Sequence, residues 1–326
     1  MSEPVDCVSI IVPVYNEEAN LPELFSKLDE LMTLGTHEWE VVLVNDGSKD
    51  ESGRLIDEKA AEDQRYVAVQ FRRNFGQTAA MQAGFDYAKG QVVVPLDADL
   101  QNDPADIPML LKKLDEGYDV VSGWRKKRQD KRFRRVFLSR VANALISKIS
   151  GVKLHDYGCS LKAYRKSVMS EVRLYGEMHR FIPIYAAWQG GRITEVPVNH
   201  FPRTKGVSKY GMERVFKVIL DLIVVKFLHG YSQKPMYVFG GFGLGCFSAS
   251  GLFALIAIAL KLFEIRNFSR TPLPLFCLFF ALMGVYSILM GLLAEIITRT
   301  YYEAQNKKTY RVREAKAEPL DEDETA

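Results

Sequence analysis

Several absences narrow what this sequence encodes. Its four cysteines, Cys7, Cys159, Cys246 and Cys277, lie far apart in 326 residues and form no CxxC pair. That spacing suggests neither a zinc site nor a disulfide framework. The opening "MSEPVDCVSII" has no basic stretch leading into an apolar run, so no signal peptide is expected. The first strand-like run ends in "VPVYNEEAN", without a glycine, which sets aside the GxGxxG turn of a dinucleotide-binding fold. Net charge is only +3, so a general polyanion binder is not indicated and no nucleic-acid partner is expected. Charge is also missing from two long stretches, Pro235 to Leu260 and Thr271 to Ala294. Each exceeds the roughly 20 apolar residues that cross a bilayer core.

Core helices of soluble proteins seldom stay apolar all round for so long, so these stretches read as two transmembrane helices over residues 235–298. The short "KLFEIRNFSR" joins them into a hairpin, which puts both ends on one side. Lys307, Lys308, Arg311, Arg313 and Lys316 in the following tail favour the cytoplasm. The expectation is an integral protein of the inner or plasma membrane, with both termini and the large N-terminal part cytoplasmic. Ahead of the hairpin, in residues 211–234, Val215, Ile219, Leu222 and Ile223 share one helical face while Glu213, Lys217 and Asp221 line another. This predicts an amphipathic helix lying in the membrane interface. The remaining segments are a catalytic domain over 1–210 and a cytoplasmic tail over 299–326.

Residues 7 to 100 alternate strand and helix: "CVSIIVPVY", a helix over 18–34, "WEVVLVND", a helix over 51–63, "YVAVQFRR", "QTAAMQAGFDYAKG" and "QVVVPLDAD". This rhythm predicts an α/β domain with a parallel sheet covered by helices. Such sheets bind ligands at the carboxyl ends of their strands. Polar clusters fall there: "YNEE", "NDGSKD", "RRNFG" and "DADLQ". In "VVVPLDADLQNDP", Asp97, Asp99, Gln101 and Asp103 follow an apolar run. Carboxylates crowd together at a cost unless a cation lies between them. Alternating positions on an extended segment project to one side. Hard oxygen donors of this kind suit Mg²⁺ or Mn²⁺. The other reading, a helix cap before "PADIPMLLKKL", is taken for Asp103 and Asp106.

Together, "VPVYNEE", "VNDGSKD", "RNFGQTAAMQAGFDYAKG", "DADLQNDP", "DYGCSLKAYRK", "HRF" and "HFPRTKGVSKY" resemble the GT-A (Rossmann-like) glycosyltransferases of family 2. Within these the chain resembles the polyprenyl-phosphate glycosyltransferases, such as dolichol-phosphate mannose synthases and bactoprenol glucosyltransferases. The resemblance implies that Pro13, Tyr15 and Glu17 hold the base and ribose of a nucleotide sugar. Asp46 would meet the base edge, although "NDG" alone also reads as a turn. It implies that Asp97, Asp99 and Gln101 hold a metal on the diphosphate, and that Arg203 and Lys209 meet the phosphates. Arg125, Arg135 and Ser139 would contact the acceptor phosphate. Lys126, Lys127 and Arg128 are read as facing the membrane surface.

The implied reaction is inverting transfer of a hexose, with UDP-glucose the expected donor, to polyprenyl (undecaprenyl) phosphate. The product would serve cell-envelope or lipopolysaccharide glycosylation. Asp97 and Asp156 are the candidate catalytic residues; Asp156 either acts as base, orients the donor sugar, or forms an Asx turn before Gly158. Alternatives are the same reaction with GDP-mannose or another donor, or a non-catalytic membrane scaffold; a homo-oligomer is compatible with each. A processive polysaccharide synthase is disfavoured because "HRFIPIYAAWQGG" contains no QxxRW.

Overall fold

The computed structural model describes residues 5–35, 37–126, 143, 146–148, 150–169, 180–202 and 234–304. They belong to two compact units, Met1–Ile223 and Val224–Ala326. The first unit is built on β1 (Cys7–Val14), α1 (Leu21–Met32), β2 (Glu38–Asn45), α2 (Ser52–Glu62), β3 (Tyr66–Gln70), α3 (Gln77–Tyr87) and β4 (Val92–Pro95). These are the expected alternating elements. There follow α4 (Ile107–Asp115), β5 (Val120–Trp124), β6 (Lys162–Arg165), α5 (Ile182–Trp188) and β7 (Ile193–Pro197).

The seven strands form one sheet in the order β3-β2-β1-β4-β6-β5-β7. β1 pairs in parallel with both β2 and β4, and β5 with β7. β6 is antiparallel to both β4 and β5, so it alone runs the other way. The carboxyl ends of the other strands, and the loop entering β6, therefore share one edge of the sheet.

Period-2 alternation sends neighbouring side chains to opposite faces. Ile10 and Val12 join Leu21, Leu24, Leu28, Ile107 and Leu111 on the α1 and α4 face. Ile11, Val42 and Val93 join Ala80, Met81, Phe85 and Ile182 on the α3 and α5 face. Because both faces are covered, the middle of β1, β2 and β4 is a near-continuous apolar run rather than an alternation with polar residues.

The second unit contains α6 (Pro235–Leu262) and α7 (Leu273–Ala304), joined through a 3-10 turn at Phe268–Arg270. Gly243 and Gly284 let the two backbones touch; a Cβ on either would lie 3.0 Å from the other's carbonyl oxygen. Ser287 Oγ donates to the Phe239 carbonyl at 2.7 Å, and Ser250 Oγ to that of Cys277 at 2.8 Å. The large apolar side chains point outward, with Leu255 67 % and Leu275 68 % exposed. Both helices are long and apolar enough to cross a membrane, and a surface of this kind suits lipid rather than water. Of the expected interfacial helix at 211–234, residues 211–233 lie outside the described residues, as does the tail beyond 304.

Candidate active site

At the carboxyl edge of β1 and β2, two loops are laced together by hydrogen bonds. Asn16 N–H donates to Ser48 Oγ at 2.9 Å, Glu17 N–H to Ser52 Oγ at 2.9 Å, and Lys49 N–H to Asn16 Oδ1 at 2.8 Å. Pro13 and Tyr15 are half-buried on this edge, and Glu17 accepts from Asn20 Nδ2 at 2.6 Å. Asp46, 3 % exposed, accepts from Asn74 Nδ2, Phe75 N–H and Gly76 N–H at 2.8, 2.6 and 2.9 Å. Burial raises its carboxyl above the ordinary range, against the lowering effect of those backbone donors. Both Asp46 oxygens thus organise the loop after β3. Gly47 permits the approach: its φ is +64°, and a Cβ there would fall 2.3 Å from the Arg73 carbonyl carbon.

That loop feeds α3, whose first residue, Gln77, donates from Nε2 to Asp97 Oδ1 at 2.8 Å. The motif containing Gln77 was legible in the sequence, but its role was not. Asp97 also accepts from the Ser160 hydroxyl. Its carboxyl is raised by burial and then by the charge of Asp99, with Arg125 and Lys162 pulling the other way. Asp97 and Asp99 do not lie on an extended segment: β4 stops at Pro95, and the following residues form a turn in which Leu100 has φ +59°. Proximity inside this turn, rather than strand alternation, brings the two carboxylates together. Gln101 shares the turn, its N–H donating to Asp99 Oδ1 at 3.1 Å.

Asp97 and Asp99 have the donor chemistry of a hard divalent cation. Among the described residues no third carboxylate, histidine or cysteine completes a cage. Mg²⁺-type ions need none, since they are held by one or two carboxylates together with substrate phosphates and water. The residues therefore fit a metal that arrives with a diphosphate.

Arg125, one residue beyond β5, forms a two-pronged ion pair with Asp156: Nε to Oδ2 at 2.7 Å and Nη2 to Oδ1 at 3.0 Å. Asp156 is 2 % exposed and also accepts from Gly158 N–H at 3.1 Å. The structure so joins a residue assigned to the acceptor with one assigned to catalysis. Below them Lys162, 3 % exposed, donates to the carbonyls of Tyr157, at 3.3 Å, and Cys159. Burial lowers its ammonium below the ordinary range. Sequence reasoning missed Lys162, because "SLKAYRK" gives no sign that its lysine points inward. His155 stacks on Trp124 at 4.4 Å and pairs through Nδ1 with Glu195. Asp103 caps the 3-10 turn Pro104–Asp106, as expected. Asp106 does not cap; it accepts from Asn199 N–H and Nδ2 at 2.7 and 2.9 Å. Arg135, Ser139, Arg203 and Lys209 lie outside the described residues, as do Lys127 and Arg128.

A largely parallel sheet with acids and a half-buried arginine gathered along one carboxyl edge places this chain among the α/β proteins that bind ligands at strand ends. Residues 9–173 match the model for glycosyl transferase family 2, and the chain belongs to that family; it is a glycosyltransferase. It is 43 % identical to the dodecaprenyl-phosphate galacturonate synthase of Rhizobium johnstonii, across 96 % of this chain and 94 % of that protein. It is 38 % identical to the undecaprenyl-phosphate 4-deoxy-4-formamido-L-arabinose transferase of Shewanella sediminis, across 96 % and 93 %. The fold also resembles glucosyl-3-phosphoglycerate synthase from Mycobacterium tuberculosis, solved with Mn²⁺, UDP and phosphoglyceric acid. That match has a TM-score of 0.52 and 15 % identity, and covers 69 % of this chain and 78 % of the other. It speaks to the GT-A fold alone. The expected resemblance to polyprenyl-phosphate glycosyltransferases is borne out.

Proposed function

We propose that this protein transfers a sugar from a nucleotide diphospho-sugar to a polyprenyl phosphate at a membrane, with inversion at the anomeric carbon. The observation that carries the reading is the convergence of the Asp97–Asp99 pair with the Arg125–Asp156 pair on one sheet edge. Full-length similarity to two polyprenyl-phosphate sugar transferases and the apolar α6–α7 hairpin support the lipid acceptor. We take galacturonate as the donor sugar in preference to glucose, following the relative at 43 % identity.

The β1 and β2 loops, with Pro13, Tyr15, Glu17 and Asp46, hold the nucleoside. Asp97 and Asp99, with Gln101 beside them, hold Mg²⁺ or Mn²⁺, which when bound offsets charge on the diphosphate. Arg125 presents its guanidinium to the acceptor phosphate, a geometry suited to phosphate oxygens. Asp156 fixes that guanidinium with both of its oxygens and is a positioning group in this account, not a proton acceptor. A phosphate acceptor has a second pKa near 6 and is already anionic at neutral pH. It needs placement and exclusion of water, not deprotonation. Arg203 and Lys209 are assigned to the diphosphate, and Arg135 and Ser139 to the acceptor. The soluble unit and both termini are assigned to the cytoplasmic side.

The test is full-length protein in lipid vesicles with undecaprenyl phosphate, Mn²⁺ or Mg²⁺, and a panel of UDP-galacturonate, UDP-4-deoxy-4-formamido-L-arabinose, UDP-glucose and GDP-mannose. Mass spectrometry of the lipid should show the uronic-acid adduct. Another adduct corrects the donor alone, and no adduct from any of them overturns the reading.

A further inference from the structure

Asp106 is a buried carboxylate to which neither the fold nor the chemistry above gives a task. It ends the 3-10 turn Pro104–Asp106, is 8 % exposed, and makes no side-chain cap for α4. Burial raises its carboxyl above the ordinary range, although the Asn199 donors act to lower it. Helix entry alone does not explain keeping such a group, since Asp103 already caps this junction at the surface.

Its two hydrogen bonds reach 93 residues along the chain, to Asn199 just beyond β7. The next two residues lie against the metal-candidate turn. His200 forms an antiparallel bridge with Asn102, and Phe201 N–H donates to the Gln101 carbonyl at 2.9 Å. Asn102, 5 % exposed, carries the contact inward: its Nδ2 donates to Ser160 Oγ at 2.8 Å, and Ser160 meets Asp97. The turn needs this support because Leu100 holds a left-handed backbone, which a branched side chain adopts at a cost and which persists only where surroundings fix it.

We propose that Asp106 and Asn199 are positioning residues that brace the turn from Asp97 to Asn102, and so set its affinity for a divalent metal carrying a nucleotide diphosphate. The inference rests on the metal and donor assignment above, not on the acceptor. Loss of one charge-assisted brace should weaken binding about tenfold.

Calorimetry of Mn²⁺ with UDP on the full-length protein tests it without any acceptor. Asp106→Asn should raise the dissociation constant about tenfold, because both hydrogen bonds to Asn199 lose the carboxylate charge that strengthens them. Adding Asn199→Asp should recover most of the loss, because the amide at 106 can donate to the new carboxylate. The KM for polyprenyl phosphate should stay unchanged in both. Unaltered Mn²⁺–UDP affinity in Asp106→Asn overturns the proposal. So does a loss shared equally by the acceptor and left unrepaired by the exchange, which would mark a general structural role. Wild-type protein that binds Mn²⁺–UDP but transfers no sugar would defeat the proposed function and leave the brace standing.

Discussion

The two ends of the sheet handle charge differently. From β1 to β3, hydrogen bonds among serine, asparagine and backbone groups tie the strand-end loops, and ion pairs stay near the surface. Arg65–Asp63 and Arg54–Glu58 are such pairs, with Arg65 45 % and Arg54 56 % exposed. From β4 to β7, more charge goes inside, and of both signs: Asp99, Asp106, Asp156 and Lys162 are all buried, against Glu40 and Asp46 at the first end. Buried ions cost several kcal/mol each unless they are paired and hydrogen-bonded. Among the described residues, the charged groups that the first end buries are carboxylates only, Glu40 and Asp46, each held by hydrogen-bond donors rather than by an opposite charge. The second keeps charges that stability alone would discard, the pattern expected where chemistry is done.

The sharpest way to break this contrast is Asp99→Asn, which removes a metal-ligand charge without changing shape. Transfer should fall on the order of 100-fold or more, while the thermal unfolding midpoint stays near that of wild type. Wild-type turnover by this variant, or by either protein in EDTA, would remove the metal from the account.

A stability comparison comes next. Asp156→Asn leaves the half-buried Arg125 against a neutral amide and should cost about 1.5–3 kcal/mol, as for loss of a charge-assisted contact. Arg65→Ala, at the other end, should cost less than about 1 kcal/mol. Denaturant titration with tryptophan fluorescence measures both, and equal losses would mean that the two ends are not built differently.

The smallest effect lies in pH. Asp63 is held below its ordinary 3.8, first by the Arg65 hydrogen bond. Its stabilisation is present above that value and is lost as pH falls through its lower folded value. Asp106 is raised, first by burial, so the sign reverses. Its ionisation weakens the fold at neutral pH, and stability returns as pH falls through its raised folded value towards 3.8. Asp106→Asn should therefore flatten part of the change in unfolding temperature on acidification from neutral pH. Asp63→Asn should act only nearer pH 4 and below. A reversed assignment of these windows would contradict the burial difference.

Legibility in the sequence follows the same division. β1 to β4 could be read because each is a β-branched run bounded by turn residues, followed by a helical pattern. The hairpin was legible from length and missing charge. β6 escaped because "KAYR" is four residues long and owes its place to antiparallel pairing with β4 and β5, which no local pattern announces. Asp97, Asp99, Arg125 and Asp156 were legible as motif residues. That Arg125 and Asp156 pair was not, since 31 positions separate them. The same holds for Asp106, which reads as a helix cap until Asn199 is placed beside it.

The proposed transfer is one in-line displacement by a lipid phosphate, positioned by Arg125 and aided by no covalent enzyme intermediate. Its most direct test is the anomeric configuration of the purified lipid product, read by NMR after reaction of full-length protein with the donor that the panel identifies. The expected configuration is opposite to that in the nucleotide sugar. Retention of the donor configuration would contradict it.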